Sequence, residues 1–107
     1  MVKSEDRQAI EYLKGFLRKR NIKVNKIVIF GSRARGKFNQ NSDMDIAVIS
    51  KDFEGKGIFK KALMLKGLKW FLAEKFSTPF DIIPMSPSEW NGPSLIAQFA
   101  KQGFEIK

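Results

Sequence analysis

Residues 26–50 read KIVIFGSRARGKFNQNSDMDIAVIS. Lys26-Ile27-Val28-Ile29-Phe30 is a short β-branched run that stops abruptly at Gly31, the pattern of a buried strand. Met44–Ser50 (MDIAVIS) repeats that pattern, with Asp43 at its start. The segment between them, GSRARGKFNQNSD, is polar, basic and contains glycine, so it reads as a loop. Outward from this unit the period changes. Upstream, Ile10, Leu13 and Leu17 fall at i, i+3 and i+7, which predicts a helix over Ser4–Arg20. Glu5 and Asp6 in its first turn and Arg18, Lys19 and Arg20 in its last suit the helix dipole, and Asn21 reads as its C-cap. Downstream, Ile58, Ala62, Leu65, Leu68, Leu72 and Phe76 keep a helical period over Gly57–Phe76. Phe59, Leu63 and Trp70 widen that stripe, and Lys60, Lys61, Lys66, Lys69 and Lys75 form a basic outer face. Pro79–Pro84 reads as a third strand, and Ser94–Gln102 as a last short helix stopped by Gly103. The order α-β-β-α-β-α predicts a small α/β or α+β sheet with helices packed on it.

The 107 residues suit one domain spanning 1–107, with one core and little more. Composition then excludes chemistry. There is no Cys, hence no disulfide framework, thiolate zinc site or thiol nucleophile. There is no His, hence no Ser–His triad and no imidazole base or ligand. Catalysis would fall to carboxylates, hydroxyls, Lys or Arg, and a metal would need oxygen ligands, which suits Mg²⁺ or Mn²⁺. No apolar run reaches about 18 residues, so no membrane span is expected. The start, MVKSEDRQ, has no apolar region of the signal-peptide kind, and a cytoplasmic location is the default expectation.

The informative residues lie in and around the loop. Asp43 and Asp45, two apart on a strand, would point to one face about 7 Å apart at Cα. Two carboxylates on one face repel, and a divalent cation would resolve that repulsion. Alone, the pair also reads as an ordinary loop-edge motif. Gly31-Ser32 after a strand allows a tight turn in which a hydroxyl and backbone N–H groups hold a phosphate oxygen. Arg33, Arg35 and Lys37 add cationic donors, although a turn with solvated arginines would look the same. The loop is not a Walker A motif, which occurs nowhere in the chain. Asp81 sits between Phe80 and Ile82-Ile83, where a charge is costly unless paired, metal-bound or on an outward edge. Together these residues supply a phosphate cradle and three carboxylates, the inventory of two-metal phosphoryl or nucleotidyl transfer.

Gly31-Ser32-Arg33-Ala34-Arg35-Gly36 followed by Ser42-Asp43-Met44-Asp45-Ile46 resembles the G-S-x-A-R-G…S-D-x-D-[IL] signature of minimal nucleotidyltransferases, a branch of the DNA polymerase beta-like superfamily. The resemblance covers nearly the whole chain. It implies a mixed sheet flanked by helices, ATP as substrate and Mg²⁺, with two ions, as cofactor. By that pattern Asp43, Asp45 and Asp81 are the catalytic and metal-holding carboxylates, Asp81 helping to activate the incoming hydroxyl. Gly31 and Ser32 match the triphosphate grip, with Arg33, Arg35 and Lys37 as further phosphate contacts. Family members of this size are often antitoxins paired with a helical HEPN-domain toxin, inactivated by AMP transfer to one of its hydroxyls. An acceptor supplied by a partner protein or by a second copy of the chain, as a homodimer, follows from that resemblance.

Two other readings stand beside it. A non-catalytic protein could mask a partner by binding alone. The net charge of +9 could instead serve nucleic acid. No RNP, KH or zinc-finger pattern supports the latter, and most of the ten Phe fall on apolar faces.

Overall fold

Strands β1 (Lys26–Phe30) and β2 (Met44–Ile49) pair antiparallel, from Lys26 opposite Ile49 to Phe30 opposite Asp45. They form the centre of a four-stranded sheet in the computed structural model, which describes residues 4–31, 44–76 and 79–106. Strand β3 (Phe80–Met85) runs parallel to β2 on one edge, and β4 (Phe104–Ile106) antiparallel to β1 on the other. The order is β3-β2-β1-β4, a mixed sheet. Edge placement explains how Pro84 is tolerated inside β3, since a missing N–H there costs no central ladder bond.

The continuous apolar runs of β1 and β2 follow from burial on both faces. Ile27, Ile29, Met44, Ile46, Val48 and Phe80 point to one side. There they meet α1 (Ser4–Lys19) through Ala9, Ile10, Leu13 and Leu17, and α3 (Leu68–Lys75) through Leu68 and Leu72. Val28, Phe30, Ala47, Ile49 and Met85 point to the other side. That face is covered by Trp90 of α4 (Pro87–Trp90) and by Ala97 and Ala100 of α5 (Leu95–Ala100). The first helix ends as expected. Asn21 takes a left-handed φ of 60°, the Ile22 amide donates to the Leu17 carbonyl at 2.9 Å, and the Asn21 amide donates to Arg18 at 3.0 Å, a Schellman closure.

The helix expected over Gly57–Phe76 is two helices, α2 (Ile58–Met64) and α3. Gly67 breaks it with φ of 88°, and the chain turns before Leu68. Of the apolar stripe, Leu68 and Leu72 are buried, but Ile58, Ala62, Phe59, Leu63 and Trp70 are exposed. The basic outer face is also incomplete, because Lys61 points inward and is only 7% exposed. Strand β4 and helix α4 escaped the sequence reading, as did a short 3-10 helix over Lys51–Phe53. Strand β4 is three residues long, too short to show a period. Helix α4 carries a capping box, in which the Ser86 hydroxyl accepts from the Glu89 amide and the Glu89 carboxylate from the Ser86 amide. Its Ser-x-x-Glu spacing was visible in the sequence. Among the described residues no helix is long and apolar enough to cross a membrane.

Candidate active site

Parallel pairing of β2 with β3 sets Asp45 directly beside Asp81. Each is the second residue of its strand, on the side where Ala47, Ile49, Ile83 and Met85 face α4 and α5. In-register residues of neighbouring strands lie about 4.8 Å apart, so the two carboxylates start from adjacent backbone positions on one face. Both residues are only partly buried. They stand at the strand ends, where solvent and a ligand can reach them.

The end of β1 closes the third side. Phe30 pairs with Asp45, and Gly31 follows with φ of 83°. A Cβ at Gly31 would overlap the Asp45 carboxylate oxygen and lie 3.2 Å from its Cγ. Glycine is therefore required here twice over, for the left-handed turn and for the space that the Asp45 side chain fills. The turn after β1 and the first carboxylate of β2 are one packed unit.

Two aspartates on one face supply hard oxygen donors and concentrate negative charge, which fits Mg²⁺ or Mn²⁺ rather than a softer ion. Among the described residues no third acidic side chain joins them. Of the residues singled out in the sequence, Gly31, Asp45 and Asp81 are brought together at this end of the sheet. Ser32, Arg33, Arg35, Lys37 and Asp43 lie outside the described residues.

Asp81 also lines a cleft of about 540 Å³ between β3 and the α2–α3 pair. Ile58, Ala62 and Leu68 are among its apolar walls, and Lys56 and Lys69 among its basic ones. One wall is built by a pair that sequence reasoning missed. Lys61 Nζ donates to Glu89 Oε1 at 2.5 Å, tying α2 to α4. Burial pushes the Glu89 carboxyl up, but hydrogen bonds from Lys61 and from the Ser86 amide outweigh it and hold the group below its ordinary value. Nothing in the sequence separates Lys61 from Lys60 beside it. A second cavity of about 820 Å³, lined by Lys14, Arg18, Lys23 and Lys26, opens at the start of β1. That is the opposite end of the strand from Gly31, away from the two carboxylates.

Residues 10–104 match the family model described as a nucleotidyltransferase domain. The chain belongs to the nucleotidyltransferase domain family. The motif resemblance points to nucleotidyltransferases as well, and the mixed sheet with helices on both faces has the DNA polymerase beta-like nucleotidyltransferase fold. Two solved structures are similar in fold. One is a toxin–antitoxin crystal structure with AMP-PNP, 21% identical, at a TM-score of 0.61 over 90% of this chain and 68% of that one. The other is a mutant of the toxin–antitoxin pair MntA–HpeT, 22% identical, at a TM-score of 0.63 over 89% of this chain and 69% of that one. No curated protein sequence matches the chain. The nucleotidyltransferase domain thus places Asp45 and Asp81 where the end of β1 meets the starts of β2 and β3.

Proposed function

We propose that this nucleotidyltransferase transfers a nucleoside monophosphate, AMP from ATP, to a hydroxyl of a partner protein, and acts as the antitoxin of a HEPN-domain toxin. The observation that carries the chemistry is the in-register pair Asp45–Asp81, packed against a glycine turn. The fold shared with toxin–antitoxin structures, one of them with AMP-PNP, supports the partner and the nucleotide.

Asp45 and Asp81, with Asp43, would hold Mg²⁺. The metal supplies charge neutralisation at the phosphates and a lowered pKa for a bound hydroxyl. Gly31, with no Cβ, leaves the space that the Asp45 carboxylate occupies beside the turn. The acceptor oxygen attacks the α-phosphorus, a new P–O bond forms, and the bond to the β-phosphate bridging oxygen breaks in line. Asp81 stands on the side of the cleft and takes the acceptor's proton. Pyrophosphate leaves with the electron pair of the broken bond. Gly31 and Ser32 grip the triphosphate through backbone N–H groups and the hydroxyl, and Arg33, Arg35 and Lys37 neutralise the leaving group.

The protein is incubated with Mg²⁺, ATP and the protein that co-purifies with it from its host, and the intact masses of both are measured. An added AMP on the partner, absent with Asp45→Asn or Asp81→Asn, is the expected result. No nucleotide binding by calorimetry and an unmodified partner at saturating ATP would overturn the reading. Masking without chemistry is the second reading, favoured by the exposed apolar residues of α2. It predicts that the double substitution Asp43→Asn with Asp45→Asn still neutralises the partner fully.

A further inference from the structure

Helix α2 turns most of its apolar surface outward. Its most buried residue is a lysine, Lys61, at 7% exposure, and half-buried Met64 packs on the core, while Ile58, Phe59 and Leu63 are 79%, 84% and 66% exposed. Positions 58 and 62, and 59 and 63, are one turn apart, so these side chains form two adjacent apolar rows along the helix. Ile58 and Ala62 form the outer wall of the cleft that Asp81 lines. Phe59 and Leu63 continue the same apolar surface one row further out. A stripe of this kind on a surface helix marks an interaction site rather than a scattered exposed residue.

Charge selects the occupant. From Gly55 to Ala73 the chain carries five lysines and no acid. Lys61 is taken by Glu89, while Lys56, Lys60, Lys66 and Lys69 have no ion-pair partner among the described residues. A second copy meeting this face about a twofold axis would set lysines against lysines. A bilayer is flat and would leave the concave cleft unfilled. Nucleic acid would satisfy the lysines and leave the aliphatic rows of Ile58 and Leu63 against phosphate. A protein ridge with apolar side chains between carboxylates satisfies both features.

We infer that the outer face of α2, together with the cleft wall it forms, is the docking surface for a protein partner that presents an apolar ridge flanked by acidic residues, seated beside Asp81. The inference rests on the proposed function only in taking the occupant to be the protein acted upon. The docking itself needs neither nucleotide nor metal.

The probe is a synthetic amphipathic helical peptide with Leu at i, i+3, i+4 and i+7 and Glu on the flanks, titrated into the isotope-labelled full chain and followed by amide NMR shifts. Shifts centred on α2 and the cleft are expected, with binding at least about tenfold weaker when Lys replaces Glu in the peptide. The double variant Phe59→Ser with Leu63→Ser should lose binding by a similar factor at an unchanged melting temperature, because both side chains are exposed. Lys60→Glu with Lys66→Glu should weaken it while leaving the apolar rows intact. Equal binding of the Lys peptide, shifts remote from α2, or concentration-dependent dimers by sedimentation whose interface is α2, would overturn the inference. So would preferential binding of an RNA oligonucleotide or anionic phosphatidylserine vesicles at α2. ATP binding by calorimetry is measured on the same variants. Its loss in the wild type would strike the nucleotidyl-transfer reading and leave docking standing, whereas retained ATP binding without peptide binding would do the reverse.

Discussion

Gly31 and Asp45 constrain each other, and that mutual constraint makes the site testable one residue at a time. Gly31→Ala forces a Cβ into the space of the Asp45 carboxylate and keeps a left-handed φ that costs an L-residue about 1–2 kcal/mol. The variant should melt several degrees lower and should lose Mg²⁺-dependent ATP binding, measured by thermal unfolding and calorimetry. A variant that melts lower yet binds ATP normally would show that the turn is structural alone. Asp45 and Asp81 predict a different signature. A cation held by the native chain and not by the unfolded one stabilises it by about 2.7 kcal/mol at a hundred times its dissociation constant. Wild type should therefore melt higher in MgCl₂ than in NaCl of equal ionic strength. Asp45→Asn and Asp81→Asn should each abolish most of that difference. Equal Mg²⁺ shifts in wild type and both variants would place the ion elsewhere.

Among the elements, helix α2 is held by a polar tie to α4. Lys61 is buried and meets Glu89, whose side chain is about half exposed and also closes the capping box of α4. The Glu89 carboxyl is held below the ordinary value of 4.5. A group whose folded pKa is depressed contributes stability above its unfolded pKa and loses it as pH falls through the folded value. The contribution is thus complete at neutral pH, begins to fall near pH 4.5 and is lost as pH drops through the lower folded value. Glu89→Gln should lower stability at pH 7 by about 1 kcal/mol, modest because solvent screens the exposed side of the pair. It should also flatten the acid limb of the melting temperature against pH, and a limb of unchanged slope would show that other carboxylates dominate. The same elements show what a sequence reveals. Strands β1 and β2 were legible because burial on both faces leaves apolar runs, residues 27–30 stopped by Gly31 and residues 46–49 after Asp45. The break between α2 and α3 was not, since one Gly costs a helix only about 1 kcal/mol against Ala and the flanking period continues through Gly67. The outward face of α2 was illegible for a related reason: periodicity defines a stripe, not the side on which the core lies. The carboxylates at 45 and 81 were each visible, but their adjacency depends on the parallel register of β2 and β3, which no local pattern encodes.

At the scale of the whole molecule, the charge of +9 acts on everything at once. Lys14–Glu11, Lys26–Glu105 and Lys61–Glu89 pair within the described residues, and most lysines face solvent without such a partner. The radius of gyration is 13.1 Å. The Debye length is about 30 Å at 0.01 M salt and about 10 Å at 0.1 M. In dilute salt every lysine is therefore within screening range of nearly every other, while at 0.1 M only neighbours interact. Self-repulsion of this kind opposes the compact state. The melting temperature should rise as NaCl goes from about 0.01 to 0.1 M, with chloride chosen to avoid the specific binding of phosphate or sulfate. The rise should shrink in Lys60→Glu with Lys66→Glu, which removes positive charge from a surface that takes no part in the fold. Binding of the acidic peptide should move the other way and weaken over the same range, since it draws on the charge that destabilises the free chain. A melting temperature that falls with NaCl would mean that attractive pairs outweigh repulsion. The lysines around α2 would then be a balanced part of the free protein's surface, not an excess awaiting an acidic partner.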